Sequence, residues 1–180
     1  MRKSSNSVEI KVVDDEGNEV KPGEIGEVIS KSPLNMKGYW NRPDATKEAI
    51  KDGWFYSGDA GFFDEEGYLY IHDRVKDMIV SGGENIYPAE VENALMSHPE
   101  IADAAVIGVP DDKWGESVKG FVVLQPDSNL DETEIISYTR TQIAGYKCPK
   151  TINFIEALPR NPSGKILRRE LREPFWEGKD

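Results

Sequence analysis

Lys165 follows a Pro162-Ser163-Gly164 turn and precedes a basic amphipathic segment, a setting that holds a cation away from the chain. Proline fixes one dihedral, serine can bond its own backbone and glycine permits positive φ, so the loop is stiff without shielding the ammonium. A compact charge on a long stem suits a crowded phosphate or carboxylate, where it meets negative charge as that charge develops. A solvated surface turn is the plain alternative. Asp59, after Ser57 and Gly58, presents a carboxylate from a flexible turn. Such a group accepts two hydrogen bonds at once and suits the paired hydroxyls of a ribose, or else it caps a strand end. Ser81-Gly82-Gly83-Glu84-Asn85 offers paired glycines that allow close backbone approach. No Gly-Lys-Ser/Thr ends it, so it is not a Walker phosphate loop, and a β-turn is the simpler reading. Arg74 and Lys76 stand two residues apart in Asp73-Arg74-Val75-Lys76-Asp77, where an exposed lysine is the ordinary case.

Two stretches of different rhythm must position these residues. From Val8 to His72 the pattern is short strands with tight turns: Val8 to Val13, Gly26 to Ser30, Trp54 to Phe63 and Tyr68 to Ile71, the last two joined through Asp64-Glu65-Glu66-Gly67 as a hairpin. Pro43 to Ile50 reads as a short helix with proline in its first turn. This half resembles the edge of a β-rich domain and is expected to be incomplete, because its strands are short and Trp40, Trp54, Phe55, Phe62 and Phe63 need an apolar partner surface. After Arg74 strands and helices alternate. Met78 to Val80, Ala102 to Val109, Ser117 to Leu124 and Ile152 to Ile155 read as strands. Pro88 to Ser97 reads as a helix with Val91, Ala94 and Leu95 at helical spacing, and a second runs from an N-cap at Asp131 or Thr133 to about Ala144. The expected fold class is α/β (α+β): a β-rich part over 1–73, a junction at 74–77 and a small compact α+β module over 78–180.

Composition narrows the function. With 38% hydrophobic and 31% charged residues the chain reads as soluble and globular. A net charge of -11 argues against general nucleic-acid binding, because a phosphate backbone would meet mostly repulsion. The sign reverses locally: Arg160, Lys165, Arg168, Arg169 and Arg172 face only Glu170 over thirteen positions, either as a solvated helix face or as a patch for phosphates. Cys148 is the sole cysteine, which excludes an internal disulfide and a cysteine-based zinc cluster, and His72 and His98 stand alone. No apolar run approaches the roughly 20 residues that span a bilayer, and Met1 to Ser7 lacks the apolar stretch of a signal peptide, so the cytoplasm is the expected location. Peripheral contact with a membrane stays open.

Four motifs in fixed order are more specific than any one: Tyr56-Ser57-Gly58-Asp59, Asp73-Arg74-Val75-Lys76-Asp77, Ser81 to Pro88, and Asn161 to Arg168. On these residues, from about Val8 to Arg172, the chain resembles the C-terminal portion of the adenylate-forming superfamily, closest to fatty acid–CoA ligases. The family's Ser/Thr/Gly-rich ATP phosphate loop and its acyl-binding domain lie upstream of everything present, so the resemblance implies a piece of a longer enzyme, inactive alone and partnered by the missing N-terminal domain.

The resemblance implies a two-step ligase. A carboxylic acid and ATP give acyl-AMP and pyrophosphate, and CoA then displaces AMP. It gives Lys165 the catalytic role in adenylation, Asp59 and Arg74 the nucleotide, Lys76 the hinge, and Gly82, Gly83 and Glu84 the tunnel for the pantetheine arm of CoA. Lys165 would serve step one and the glycine loop step two, with the small domain turning at Lys76 between them. ATP, CoA and magnesium are the implied cofactors, with no magnesium ligand assignable here. Trp114-Gly115-Glu116 is typical of the CoA ligases; Trp114 is expected to pack over the strand that follows, and Lys147 to meet a CoA phosphate or solvent. Asp77 is expected to stabilise one hinge state by pairing with a cation. The alternatives are a ligase for aromatic acids such as benzoate, a carrier-protein-loading adenylation domain, and a non-catalytic interaction module.

Overall fold

A computed structural model describes residues 8–178. Met1 to Ser7, read above for its lack of a signal peptide, lies outside the described residues. The described chain divides into two compact units, with the division between Lys76 and Asp77.

The first unit is a five-stranded antiparallel sheet. Its strands are β1 (Glu9–Val13), β2 (Gly26–Lys31), β3 (Ile50–Lys51), β4 (Trp54–Phe63) and β5 (Leu69–Arg74). β4 is the spine, with β2 along one edge and β3 followed by β5 along the other. At ten residues it covers the span expected from sequence, Trp54 to Phe63. Tight turns set the register. The Asp64 carboxylate accepts the Glu66 and Tyr68 amides between β4 and β5, and Asp14 does the same for Glu16 and Asn18 after β1, as Asx turns do. Helix α1 (Pro43–Ala49) starts on its proline. Val12, Val13, Val28, Ile29 and Ala60 form the core, while Trp40 is 96% exposed and Trp54 lies beneath the ammonium groups of Lys11 and Lys31.

The second unit wraps helices over both faces of a mixed sheet. Its strands are β6 (Ile79–Ser81), β7 (Glu84–Ile86), β8 (Ile101–Asp111), β9 (Gly115–Leu124) and β10 (Thr151–Phe154), with helices α2 (Pro88–Met96), α3 (Glu132–Gln142) and α4 (Arg168–Trp176). β9 pairs antiparallel with β8 along its whole length and parallel with β10. Successive residues of a strand face opposite sides, and here both sides are covered. Ala104 and Val106 join Val91, Leu95 and Ile135 under α2 and α3, whereas Ala105 and Ile107 join Phe121, Leu158, Leu171 and Phe175 under α4. The run Ala104-Ala105-Val106-Ile107 is therefore apolar without alternation. Asp131, of the two expected N-caps, caps α3 in a reciprocal box with Glu134.

Candidate functional site

In the first unit, Asp59 and Arg74 face each other across β4 and β5, and an Arg74 Nη1 to Asp59 Oδ1 contact of 3.2 Å joins them. Asp59 lies within β4 and not on the flexible turn expected of it, and side chains fix the strand just before it. Ser57 Oγ donates to the Val28 carbonyl and accepts the Asp59 amide, while the Gly58 amide donates to Glu27 Oε1. Both charged groups stay half exposed. Beside them lies a cleft of about 600 Å³ whose wall includes Tyr39, Tyr56, Ser57 and Gly58. Lys76 sits exposed in the 3₁₀ turn Val75–Asp77, with no ion pair or hydrogen bond from its ammonium among the described residues.

In the second unit, Gly82 and Gly83 are the two loop residues of the β6–β7 hairpin, with φ of 63° and 86°. Two consecutive positive φ values define the type I′ turn, which L side chains resist. Gly82 has a further constraint: its amide donates to the Trp114 carbonyl, and a Cβ there would lie 2.7 Å from the indole ring. Trp114 therefore lies against the glycine turn. Lys113 and Lys150 hold their ammonium groups 4.5 Å and 5.5 Å from its ring centre. Glu84, Trp114, Tyr146 and Lys150 line a cavity of about 390 Å³ next to the turn. Trp114 and Tyr146 are 43% and 54% exposed.

Asp111 organises this corner. Oδ1 accepts the amides of Lys113 and Trp114, and Oδ2 pairs with Lys150 at 2.9 Å. The Lys150 hydrogen bond, followed by the Lys113 amide, pulls its pKa from 3.8 to about 2. A depressed carboxyl stabilises the fold above its unfolded pKa, and that contribution disappears as pH falls through the folded value. Thermal melts of the chain and of Asp111→Asn are therefore expected to differ by a constant amount above pH 5 and to converge between pH 4 and pH 2. Tyr146, Lys150 and Asp111 were not singled out from sequence. Asp111 three residues before Trp114 was the available signal, being the spacing of a carboxylate that caps a turn. Lys147 is engaged elsewhere, since its ammonium donates to both Glu90 oxygens at 2.7 and 2.8 Å. Cys148, buried at the cavity wall, has its thiol pKa raised by desolvation.

Lys165 ends a turn stapled by one side chain. Asn161 Oδ1 accepts the Ser163 amide, the Ser163 hydroxyl and the Lys165 amide, and the Asn161 amide donates to the Lys165 carbonyl. Arg160 closes the base by donating to the Gly164 carbonyl and to Asp103 at the start of β8. The Lys165 side chain is exposed, and its ammonium has no partner among the described residues. Of the surrounding arginines, expected as a phosphate patch or a solvated face, three are ion-paired. Arg160 pairs with Asp103 at the base of the Lys165 turn, whereas Arg168, with Glu92 and Asp77, and Arg172, with Glu116, dock α4; Arg169 remains exposed.

The family of AMP-binding enzyme C-terminal domains matches residues 90–165. Across 94% of its length the chain is 50% identical to the fatty acid–[acyl-carrier-protein] ligase ScoC of Streptomyces coeruleorubidus, and it covers 33% of that protein. It is 52% identical over 83% of its length to the long-chain-fatty-acid–CoA ligase FadD13 of Mycobacterium tuberculosis, covering 30% of it. ATP-bound MatB from Rhodopseudomonas palustris superimposes on 96% of the chain with a TM-score of 0.88 at 38% identity, and 34% of that structure is covered. The chain belongs to the adenylate-forming, AMP-binding enzymes and carries their C-terminal part. It spans about a third of the length of the curated relatives it matches.

Proposed function

We propose that this chain is the C-terminal part of a fatty acid–CoA ligase that forms acyl-AMP from a carboxylic acid and ATP and then transfers the acyl group to CoA. The observation that carries the reading is the separation of its two chemical ends. The Lys165 turn is anchored through Arg160 to Asp103, and the Gly82 turn rests on Trp114 just past Asp111. Asp103 and Asp111 stand eight residue steps apart along β8, about 26 Å of extended chain. One catalytic centre does not accommodate both at once. A free ammonium at one end and a glycine turn beside an aromatic-walled cavity at the other suit two half-reactions served in turn by rotation at Lys76.

In the first half-reaction Asp59 accepts hydrogen bonds from the ribose hydroxyls while Arg74 holds the carboxylate in place and faces the nucleotide. Lys165 brings its cation to the acyl carboxylate and the α-phosphate as they meet. Two anions repel on approach, and a preorganised charge offsets that repulsion most in the transition state. In the second, Gly82 and Gly83 allow the pantetheine arm close to the backbone, with Glu84 at the cavity edge. Trp114 and Tyr146 offer faces for the adenine of CoA, and Lys113 and Lys150 offer charge for its phosphates. Magnesium would neutralise the phosphates of ATP. Among the described residues no group of three or more His, Cys, Asp or Glu is gathered to hold it, so no ligand for it is assigned to this chain. No helix of the described residues is long and apolar enough to cross a membrane, and we place the enzyme in the cytoplasm.

A second reading, in which a phosphopantetheine carrier protein accepts the acyl group, is favoured by the name of ScoC. The two have the pantetheine arm in common and differ in what lies beyond it. The full-length enzyme, given a fatty acid and ATP, is expected to form thioester with free CoA at least tenfold faster than with pantetheine alone, because the nucleotide occupies the Trp114 cavity. Equal rates with CoA and pantetheine, together with fast loading of a carrier protein, would transfer the assignment to the second reading.

A further inference from the structure

We propose that Arg168 is a positioning residue for Lys165, tying the lysine's turn to the chain immediately past Lys76 through Asp77; this rests on the reading that Lys165 acts in adenylation. Arg168 stands three residues after Lys165, in the first turn of α4. Its Nη2 donates to both Glu92 oxygens at 2.8 and 2.7 Å, and its Nη1 lies 3.6 Å from Asp77 Oδ2. All three side chains are largely withdrawn from solvent. Such pairs are screened little by salt and hold their geometry better than surface pairs.

The connection leaves little slack. Glu92 Oε1 also accepts the Val106 amide, which fixes the guanidinium to β8. Between Lys165 and Arg168 the backbone is held twice: Ile166 bridges Arg160 and packs beneath α4, and the Leu167 amide donates to the Pro159 carbonyl. Asp77 is the residue next to Lys76. A movement of the chain at Lys76 thus reaches the Lys165 turn through one side-chain bridge, bypassing the long covalent path through the unit. The fork is required for this. A planar guanidinium can address two carboxylates from different nitrogens, whereas an ammonium is a point charge and favours one. The Gly82 turn depends on none of these contacts. Its supports are the Trp114 carbonyl and the strand pairing of Ser81 with Glu84 and Gly115.

The test uses the full-length enzyme and two assays: ATP–pyrophosphate exchange for adenylation, and single-turnover thioester formation from preformed acyl-AMP. Asp77→Asn and Arg168→Lys are each expected to lower kcat for adenylation about tenfold, with the KM for ATP unchanged, on the scale of a misplaced catalytic group. Thioester formation is expected to stay within about twofold of the parent. Arg168→Lys keeps a cation opposite Glu92, which guards against misfolding as the cause. In a Lys165→Ala background, Asp77→Asn is expected to have no further effect, since the bridge acts only through the lysine. Equal slowing of both half-reactions, or the same tenfold loss in the Lys165→Ala background, would overturn the inference. A large loss in Lys165→Ala with parental rates in Asp77→Asn would overturn it alone. A parental adenylation rate in Lys165→Ala would overturn the reading of Lys165 and this inference with it.

Discussion

Replacing Lys165 with alanine in the full-length enzyme is expected to slow acyl-adenylate formation by about 10²-fold or more, the scale of a lost electrostatic contact to a transition state. The magnitude follows from the setting of the side chain. Its turn is held by five hydrogen bonds around Asn161, while its ammonium makes none among the described residues, so the charge is preorganised and free to meet substrate. Nothing in the fold depends on it, and the thermal midpoint of the variant is expected to match the parent. Thioester formation from supplied acyl-AMP is expected to be unchanged. Pyrophosphate exchange and rapid-quench thioester assays on one preparation check both statements.

Replacing Gly82 with valine is expected to have the opposite signature. A valine there meets two penalties, a φ of 63° that a β-branched residue resists and a Cβ 2.7 Å from the Trp114 ring. The turn must shift, and the indole with it, which deforms the cavity wall beside Tyr146 and Lys150. Thioester formation is expected to fall by about 10²-fold, in line with an ångström-scale misplacement at a reacting group. Adenylation is expected to stay within a few-fold of the parent. Gly83→Ala serves as the control. A Cβ at Gly83 meets nothing within 4 Å, so only the backbone cost at φ 86° applies, and the loss is expected to be smaller.

Much of this architecture was legible because it is written locally. The Asp64-Glu65-Glu66-Gly67 hairpin and the Asp131 cap are short patterns whose side chains bond the nearby backbone, and the proline starts of α1 and α2 fix φ in the first turn. The apolar runs of β8 and β9 showed strands, because a hairpin covered on both faces has no reason to alternate. β7 was hidden within the glycine loop, being only three residues long. Helix α4 showed only its basic, amphipathic character. Arg160 before it and Arg168 and Arg172 within it read as a phosphate patch or a solvated face because their partners Asp103, Glu92 and Glu116 lie 57, 76 and 56 residues away. No local pattern records a pairing at that distance. The same reason hid the Lys147–Glu90 pair, for Glu90 in sequence is only an acid in the first turn of a helix. Trp114 was visible as a motif but not as the neighbour of Gly82, since that contact arises only where β6 meets the start of β9.

The central claim is that one small unit serves two half-reactions with its two ends, and the most direct measurement is a crossed comparison. Adenylation and thioester formation are timed separately in Lys165→Ala and in Gly82→Val, at saturating substrates. The expected result is a reciprocal pattern, each variant losing about 10²-fold in one half-reaction and little in the other. Proportionate losses in both half-reactions in both variants would contradict the account.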